Sequence, residues 1–210
     1  MKKHKTAAKF AMGQVGRTPI NQGLHRNLIL VRHSLSDINP ARSSSQWGLS
    51  EEGHARCIPL AEKLIAFQPT VIVASIEQKA RETAAILAGH FDLQVTLAEG
   101  LHEHERGNVP YFETPEQFQT AISNLFNHPN DLVFGEETAS QALTRYENAI
   151  RRVLLDYPDQ TIVLVSHGTV MSLFVAHYNR LDAYEFWQKL TMPDVVVLSL
   201  PDFLITFLKP

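Results

Sequence analysis

The chain has one cysteine in 210 residues, Cys57, so no disulfide can close within it and cysteine-rich metal sites are excluded. No run of about 18 apolar residues occurs, so no membrane-spanning helix is expected. Charge of neither sign dominates. With 19 Lys and Arg against 22 Asp and Glu, the formal net charge is -3, which offers no basis for binding nucleic acid or a membrane surface. Internal repeats and low-complexity tracts are also missing. What is left is an ordinary globular composition, 44% hydrophobic and 20% charged, enough for one good core and most simply one domain. Small-molecule partners and a reducing, cytoplasmic setting are the expectation, and a homodimer is left open. Residues 1–26 carry Lys2, Lys3, Lys5 and Lys9, then Gly13, Gly16, Pro19 and Gly23, without the apolar stretch of a secretory signal. They read as a flexible N-terminal extension to a single domain over 27–210.

The chemistry begins where an apolar run stops. Leu28-Ile29-Leu30-Val31 has no polar alternation, as suits a strand buried on both faces, and it ends in Arg32-His33-Ser34. Thr161-Ile162-Val163-Leu164-Val165 repeats the design and ends in Ser166-His167-Gly168. Ligands of parallel sheets sit beyond the carboxyl ends of the strands. If the two strands are parallel neighbours, His33 and His167 approach one another, and a helix opening at Gly168 points its free N–H groups between them. Such a place attracts an anion. An imidazole, a guanidinium and a helix N-terminus at one point suit phosphoryl transfer.

The remaining pattern supports an α/β fold, with a mostly parallel central sheet flanked by helices on both faces. Ser34 to Ser50 reads as a pocket-lining loop. A helix capped by Ser50 follows, with Ala55, Ile58, Ala61, Leu64 and Ile65 as its core stripe and an interruption or kink at Pro59. Val71 to Ala74 and Gln94 to Leu97 are strands around a helix from Gln78 to Phe91. Thr114-Pro115-Glu116-Gln117 has the form of a reciprocal capping box and opens a small cap insertion over about 108–135. Ala139 to Leu154 is the clearest amphipathic helix. Helices over Val170–Tyr178 and from Asp182, and strands at Val195–Leu198 and Phe203–Phe207, close the chain.

Several motifs occur in an order that resembles the histidine phosphatase superfamily, the phosphoglycerate-mutase-like enzymes: Arg32-His33, Asn39, Leu49-Ser50-Glu51-Glu52-Gly53, Ser75 through Thr83-Ala84, Leu101-x-Glu103-x-x-x-Gly107 and Ser166-His167-Gly168. The resemblance covers most of the chain from Leu28 onward. It implies that His33 is the nucleophile and carries a phosphohistidine, and that Glu103 is the proton donor, with a raised pKa. It implies further that Arg32, Asn39, Lys79 and His167 hold the phosphoryl oxygens, and that no metal or other cofactor takes part. The substrate implied is a small phosphate monoester.

Two departures bear on activity. Lys79 stands where the family has arginine, a point charge in place of a planar fork, so Lys79→Arg is expected to speed turnover if the fork fits. Ser34 replaces the glycine after the nucleophile and either crowds phosphate or donates a hydrogen bond to it. Arg81 is the fallback for Lys79, and Glu105 for Glu103. A metal site at His102, Glu103 and His104 is the weaker reading of that segment, because helical His-x-x-x-His spacing is missing. A phosphatase is the favoured activity; a phosphate-ester binder with little turnover and a phosphomutase are its rivals.

Overall fold

The computed structural model describes residues 27–208. The expected N-terminal extension therefore lies outside the described residues. Six strands form one sheet: β1 (Asn27–Arg32), β2 (Val71–Ser75), β3 (Val95–Ala98), β4 (Ile162–Ser166), β5 (Asp194–Ser199) and β6 (Leu204–Leu208), in the order β3-β2-β4-β1-β5-β6. Ladders β1–β4, β2–β4 and β2–β3 are parallel, while β5 runs antiparallel to β1 and to β6. The two apolar runs are thus parallel neighbours at the centre of the sheet, with Arg32 opposite Ser166.

Period-two geometry divides each central strand between two cores. Leu28 and Leu30 of β1, with Ile162 and Leu164 of β4, pack on one face against α4 (Ala139–Asp156) and α5 (Gly168–Asn179). Ile29, Val31, Val163 and Val165 pack on the other against α1 (Glu51–Leu64) and α2 (Gln78–Phe91). These eight side chains are fully buried. A strand with a core on each side has no polar face, which explains the unbroken apolar runs. α3 (Pro115–Asn127) and α6 (Ala183–Lys189) are the other α-helices among the described residues, α3 lying in the cap.

The structure alters three expectations. α1 runs without interruption through Pro59, which lies on the exposed face, where water can solvate the carbonyl that proline leaves unpaired. Its buried face is Cys57, Leu60, Ala61 and Leu64, whereas Ala55, Ile58 and Ile65 are exposed. Cysteine packs as a small apolar residue, and counting it as such gives the correct helical phase. The capping box of α3 is only half formed. Thr114 accepts from the Gln117 N–H, but the Gln117 side chain takes the N–H of Glu113. A complete reciprocal box opens α4 instead, between Thr138 and Gln141.

Candidate active site

β1 and β4 end side by side and deliver their histidines together. The backbone N–H of His33 donates to the Ser166 carbonyl at 2.9 Å, extending the ladder by one residue, and the two imidazole centroids lie 5.2 Å apart. His33 Nδ1 lies 2.7 Å from the carbonyl oxygen of Ser34, an atom that can only accept. Nδ1 must therefore carry the proton, which leaves Nε2 with its lone pair. Burial first, then His167 and Lys79, lower the His33 pKa well below its ordinary value, so the ring is neutral at pH 7. His167 is fully buried with Nε2 2.8 Å from the Ser75 hydroxyl, and burial pulls its pKa down to about 4.

Gly168 follows directly and opens α5. A side chain there would press on the Arg32 guanidinium, so glycine is what allows the arginine to cross the helix start. Arg32 Nη1 donates to the Leu190 carbonyl at 2.8 Å, while its Nε is buried without a partner. Gly53 meets a similar constraint beside Leu35, where any Cβ would collide with the carbonyl oxygen. This contact sets α1 against the loop that follows His33. Ser34 serves the same packing: its N–H goes to Thr83 Oγ1 and its hydroxyl donates to the Gly53 carbonyl. The hydroxyl is thereby committed to α1, and it is not a phosphate donor.

Glu103 is the anion at the start of α5. Its carboxylate accepts the N–H groups of Thr169 at 3.1 Å and Val170 at 3.2 Å, and that of His104 at 2.9 Å. The expected anion site at this helix N-terminus is thus partly filled by the protein's own side chain. Burial would raise the Glu103 pKa, but Arg106, His167 and the backbone N–H groups reverse this and hold it well below the ordinary carboxylate range. In the ligand-free protein the direction is thus opposite to the raised pKa expected of a proton donor. Arg145 on α4 fixes the segment, donating to the carbonyls of Gly100, His102 and Glu103. His102 turns to Glu105 and His104 to the Glu137 carbonyl. Among the described residues no three His, Cys, Asp or Glu side chains are grouped to hold a metal ion.

Lys79 is buried and Arg81 exposed, so α2 presents the lysine inward. Its ammonium is already bound, 2.7 Å from Glu77 Oε2 and 2.6 Å from the Ser44 carbonyl. The other oxygen of Glu77 accepts the Glu103 N–H at 2.8 Å and lies 3.8 Å from His167 Nε2. Burial opposes the charge on Glu77, but His167, Lys79 and the hydrogen bonds bring its pKa down to about 2. Glu77 escaped the sequence reading because residues two apart on a helix point to different faces. It is not helical, however: it caps α2 in extended backbone at φ -69°, ψ 142°, and folds back over the first turn.

A cavity of about 680 Å³ opens over this cluster, with Arg32, His33, Lys79, Glu103, Arg106 and Thr169 at the sheet end. Arg106 is the second residue missed. It sits in a loop without periodicity, its guanidinium 5.0 Å from the centroid of Phe118, and its Nη1 is buried without a partner. Asn39 is not brought to this cavity. Its side-chain oxygen accepts the Ala41 N–H, its carbonyl accepts from the Trp47 indole, and it lines a smaller neighbouring cleft. Glu105 is exposed and paired with His102, so Glu103 is the glutamate that faces the cavity.

Comparison with known proteins gives the family and the fold. Residues 28–201 match the histidine phosphatase superfamily (branch 1). Phosphoserine phosphatase 1 of Hydrogenobacter thermophilus is 26% identical over 167 residues, 76% of this chain and 79% of that protein. Among solved structures, a mycobacterial glucosyl-3-phosphoglycerate phosphatase superposes with a TM-score of 0.66 at 23% identity, over 83% of this chain and 90% of its own. A phosphoserine phosphatase from Entamoeba histolytica, in complex with phosphoserine, gives 0.71 at 18% identity, over 87% and 96%. These structural likenesses carry the mostly parallel, phosphoglycerate-mutase-like fold.

Proposed function

The chain belongs to the histidine phosphatase superfamily, and from that premise we propose that it is a phosphatase of small phosphate monoesters working through a phosphohistidine on His33, without a metal. The observation that carries this is the state of His33: neutral, with Nδ1 pinned by the Ser34 carbonyl and Nε2 left as the lone-pair nitrogen beside a second buried histidine. The names of the relatives, phosphoserine phosphatase and glucosyl-3-phosphoglycerate phosphatase, support hydrolysis over phosphoryl relocation.

In this reading His33 Nε2 attacks phosphorus in line with the leaving oxygen. The P–O bond to the alcohol breaks, and Arg32, Lys79 and Arg106 share the charge on the equatorial oxygens, to which His167, being neutral, contributes a hydrogen bond and no charge. The buried, unpartnered Nε of Arg32 and Nη1 of Arg106 support that role. Asn39 would join them only through a movement of its loop. Glu103 is the proton carrier, and its low pKa before substrate arrives asks for a trigger. A phosphate dianion drawn to Arg106 competes for that cation and adds a neighbouring negative charge. Both effects raise the carboxyl pKa toward the value a general acid needs. Glu103 then protonates the leaving alkoxide and afterwards takes the proton of the water that attacks phosphohistidine.

The test is acid-quenched labelling with a turned-over monoester: parent protein should hold acid-labile, alkali-stable phosphate, and His33→Ala should hold none. Equal labelling of the variant would remove His33 as nucleophile. The rival reading, a phosphate-ester binder with slow turnover, draws on the neutralisation of Lys79 by Glu77. Phosphate release from a panel of monoesters separates the two.

A further inference from the structure

Above its charged end, the cavity that holds His33 is walled by rings. Trp47 comes from the loop after β1, Tyr111 and Phe112 from the cap segment, Phe118 from α3 and Trp187 from α6. The rings form edge-on and tilted contacts with one another. Trp47 meets Tyr111 at 5.9 Å and 63°, Phe118 meets Trp187 at 5.8 Å and 70°, and Phe112 meets Phe118 at 5.5 Å and 50°. Beyond Arg106, which lies over Phe118, the walls carry two charged side chains, Arg42 and Glu113, both exposed, and the hydroxyls of Ser36, Ser43, Ser44 and Thr114.

Resting on the phosphatase reading, we propose that the leaving-group half of the substrate is a bulky apolar aromatic alcohol and not a small polar one such as serine. The argument has three parts. The volume of about 680 Å³ falls among cavities that enclose drug-sized ligands, far beyond a phosphoryl group and a three-carbon chain. The walls offer ring faces and edges, which an aromatic guest meets in the same offset and edge-on geometries that they already use among themselves. With Arg106 committed to the phosphoryl group, a zwitterionic guest would find Arg42 and Glu113 for its two charges, exposed groups whose attraction water screens to little. Arg106 joins the two halves, its guanidinium lying over Phe118 while its buried Nη1 is left without a partner for the phosphoryl group.

The test compares naphthylethyl phosphate with ethyl phosphate and O-phosphoserine, all alkyl esters, so that the ring and not a better leaving group is under examination. Burial of roughly 100 Å² of ring surface favours the naphthyl ester on the order of fifty-fold in kcat/KM, expressed in KM. Tyr111→Ala and Trp47→Leu should each shrink that ratio. Calorimetric binding of the same esters to His33→Ala should give the same order of preference, independent of turnover. Phosphoserine used or bound as well as the naphthyl ester, or a ratio untouched by both variants, overturns the proposal. A naphthyl preference in binding with no phosphate released from any ester would sustain it and overturn the phosphatase reading.

Discussion

Glu77 and Lys79 form a buried ion pair in the middle of the site, and breaking it from one side should cost the protein much of its stability. Their side chains are 9% and 5% exposed, and N–O separation is 2.7 Å. Glu77→Leu would leave the ammonium with the Ser44 carbonyl as its remaining partner and free the Glu103 N–H. An uncompensated buried charge costs about 3–5 kcal/mol. At about 2–4 °C per kcal/mol for a chain of this size, Tm should fall by roughly 6–20 °C. Lys79→Met should destabilise in the same direction, since it strands the carboxylate. The double variant Glu77→Leu/Lys79→Met removes both charges, and such replacements are neutral or stabilising by about 1–4 kcal/mol. The two losses should therefore not add. Thermal and urea unfolding of all four proteins at pH 7 reads this directly. The pair should bear on phosphate binding as well: Glu77→Gln keeps the shape but releases the lysine, and a freed charge-assisted bond of about 1.5–3 kcal/mol should tighten inorganic phosphate roughly ten- to a hundredfold. Lys79→Arg alone should not speed turnover, because the guanidinium fork would pair with Glu77. A Glu77→Leu melt within about 2 °C of the parent would refute the buried-pair reasoning. Faster turnover by Lys79→Arg with Glu77 intact would refute its functional half.

Acid should unfold the protein early. His167 is held neutral with its pKa lowered from 6.5 to about 4. The unfolded chain therefore binds a proton that the folded one refuses, and stability is lost as pH falls from 6.5 toward 4, by about 3 kcal/mol at the end of that window. His33 adds in the same direction, and a His167→Asn variant should show a flatter urea midpoint between pH 7 and pH 4. Gly168→Ala should fold yet lose activity on the order of ten- to a hundredfold, because the new methyl displaces the Arg32 guanidinium, and unchanged kcat/KM would count against the tight crossing. Activity should survive a strong chelator; loss that zinc or manganese restores would return the metal reading at His102, Glu103 and His104.

Much of the fold is legible in the chain because burial on both faces leaves a distinctive mark. The runs at Leu28–Val31 and Ile162–Val165 lack polar residues, so the central strands announce themselves, and the residues that end them name His33 and His167. Glycine marks the close approaches at Gly53 and Gly168, where a Cβ has no room. Local pattern failed where a residue's role depends on what arrives from elsewhere. Cys57 set the phase of α1 through its burial, and Ser34 spent its hydroxyl on α1 and not on phosphate. Glu77 reached Lys79 only because an extended capping residue escapes helical periodicity. Arg106 has no periodic frame to direct it, so only the packing of its loop against Phe118 brings its guanidinium to the site. The protonation of Glu103 is tertiary as well: its neighbours in sequence favour no particular pKa, whereas the α5 N-terminus, Arg106 and His167 together decide it. Strands and glycines are governed by local sterics and burial, which the order of residues records. Charges in a shared pocket are governed by distances between segments, which the fold alone determines.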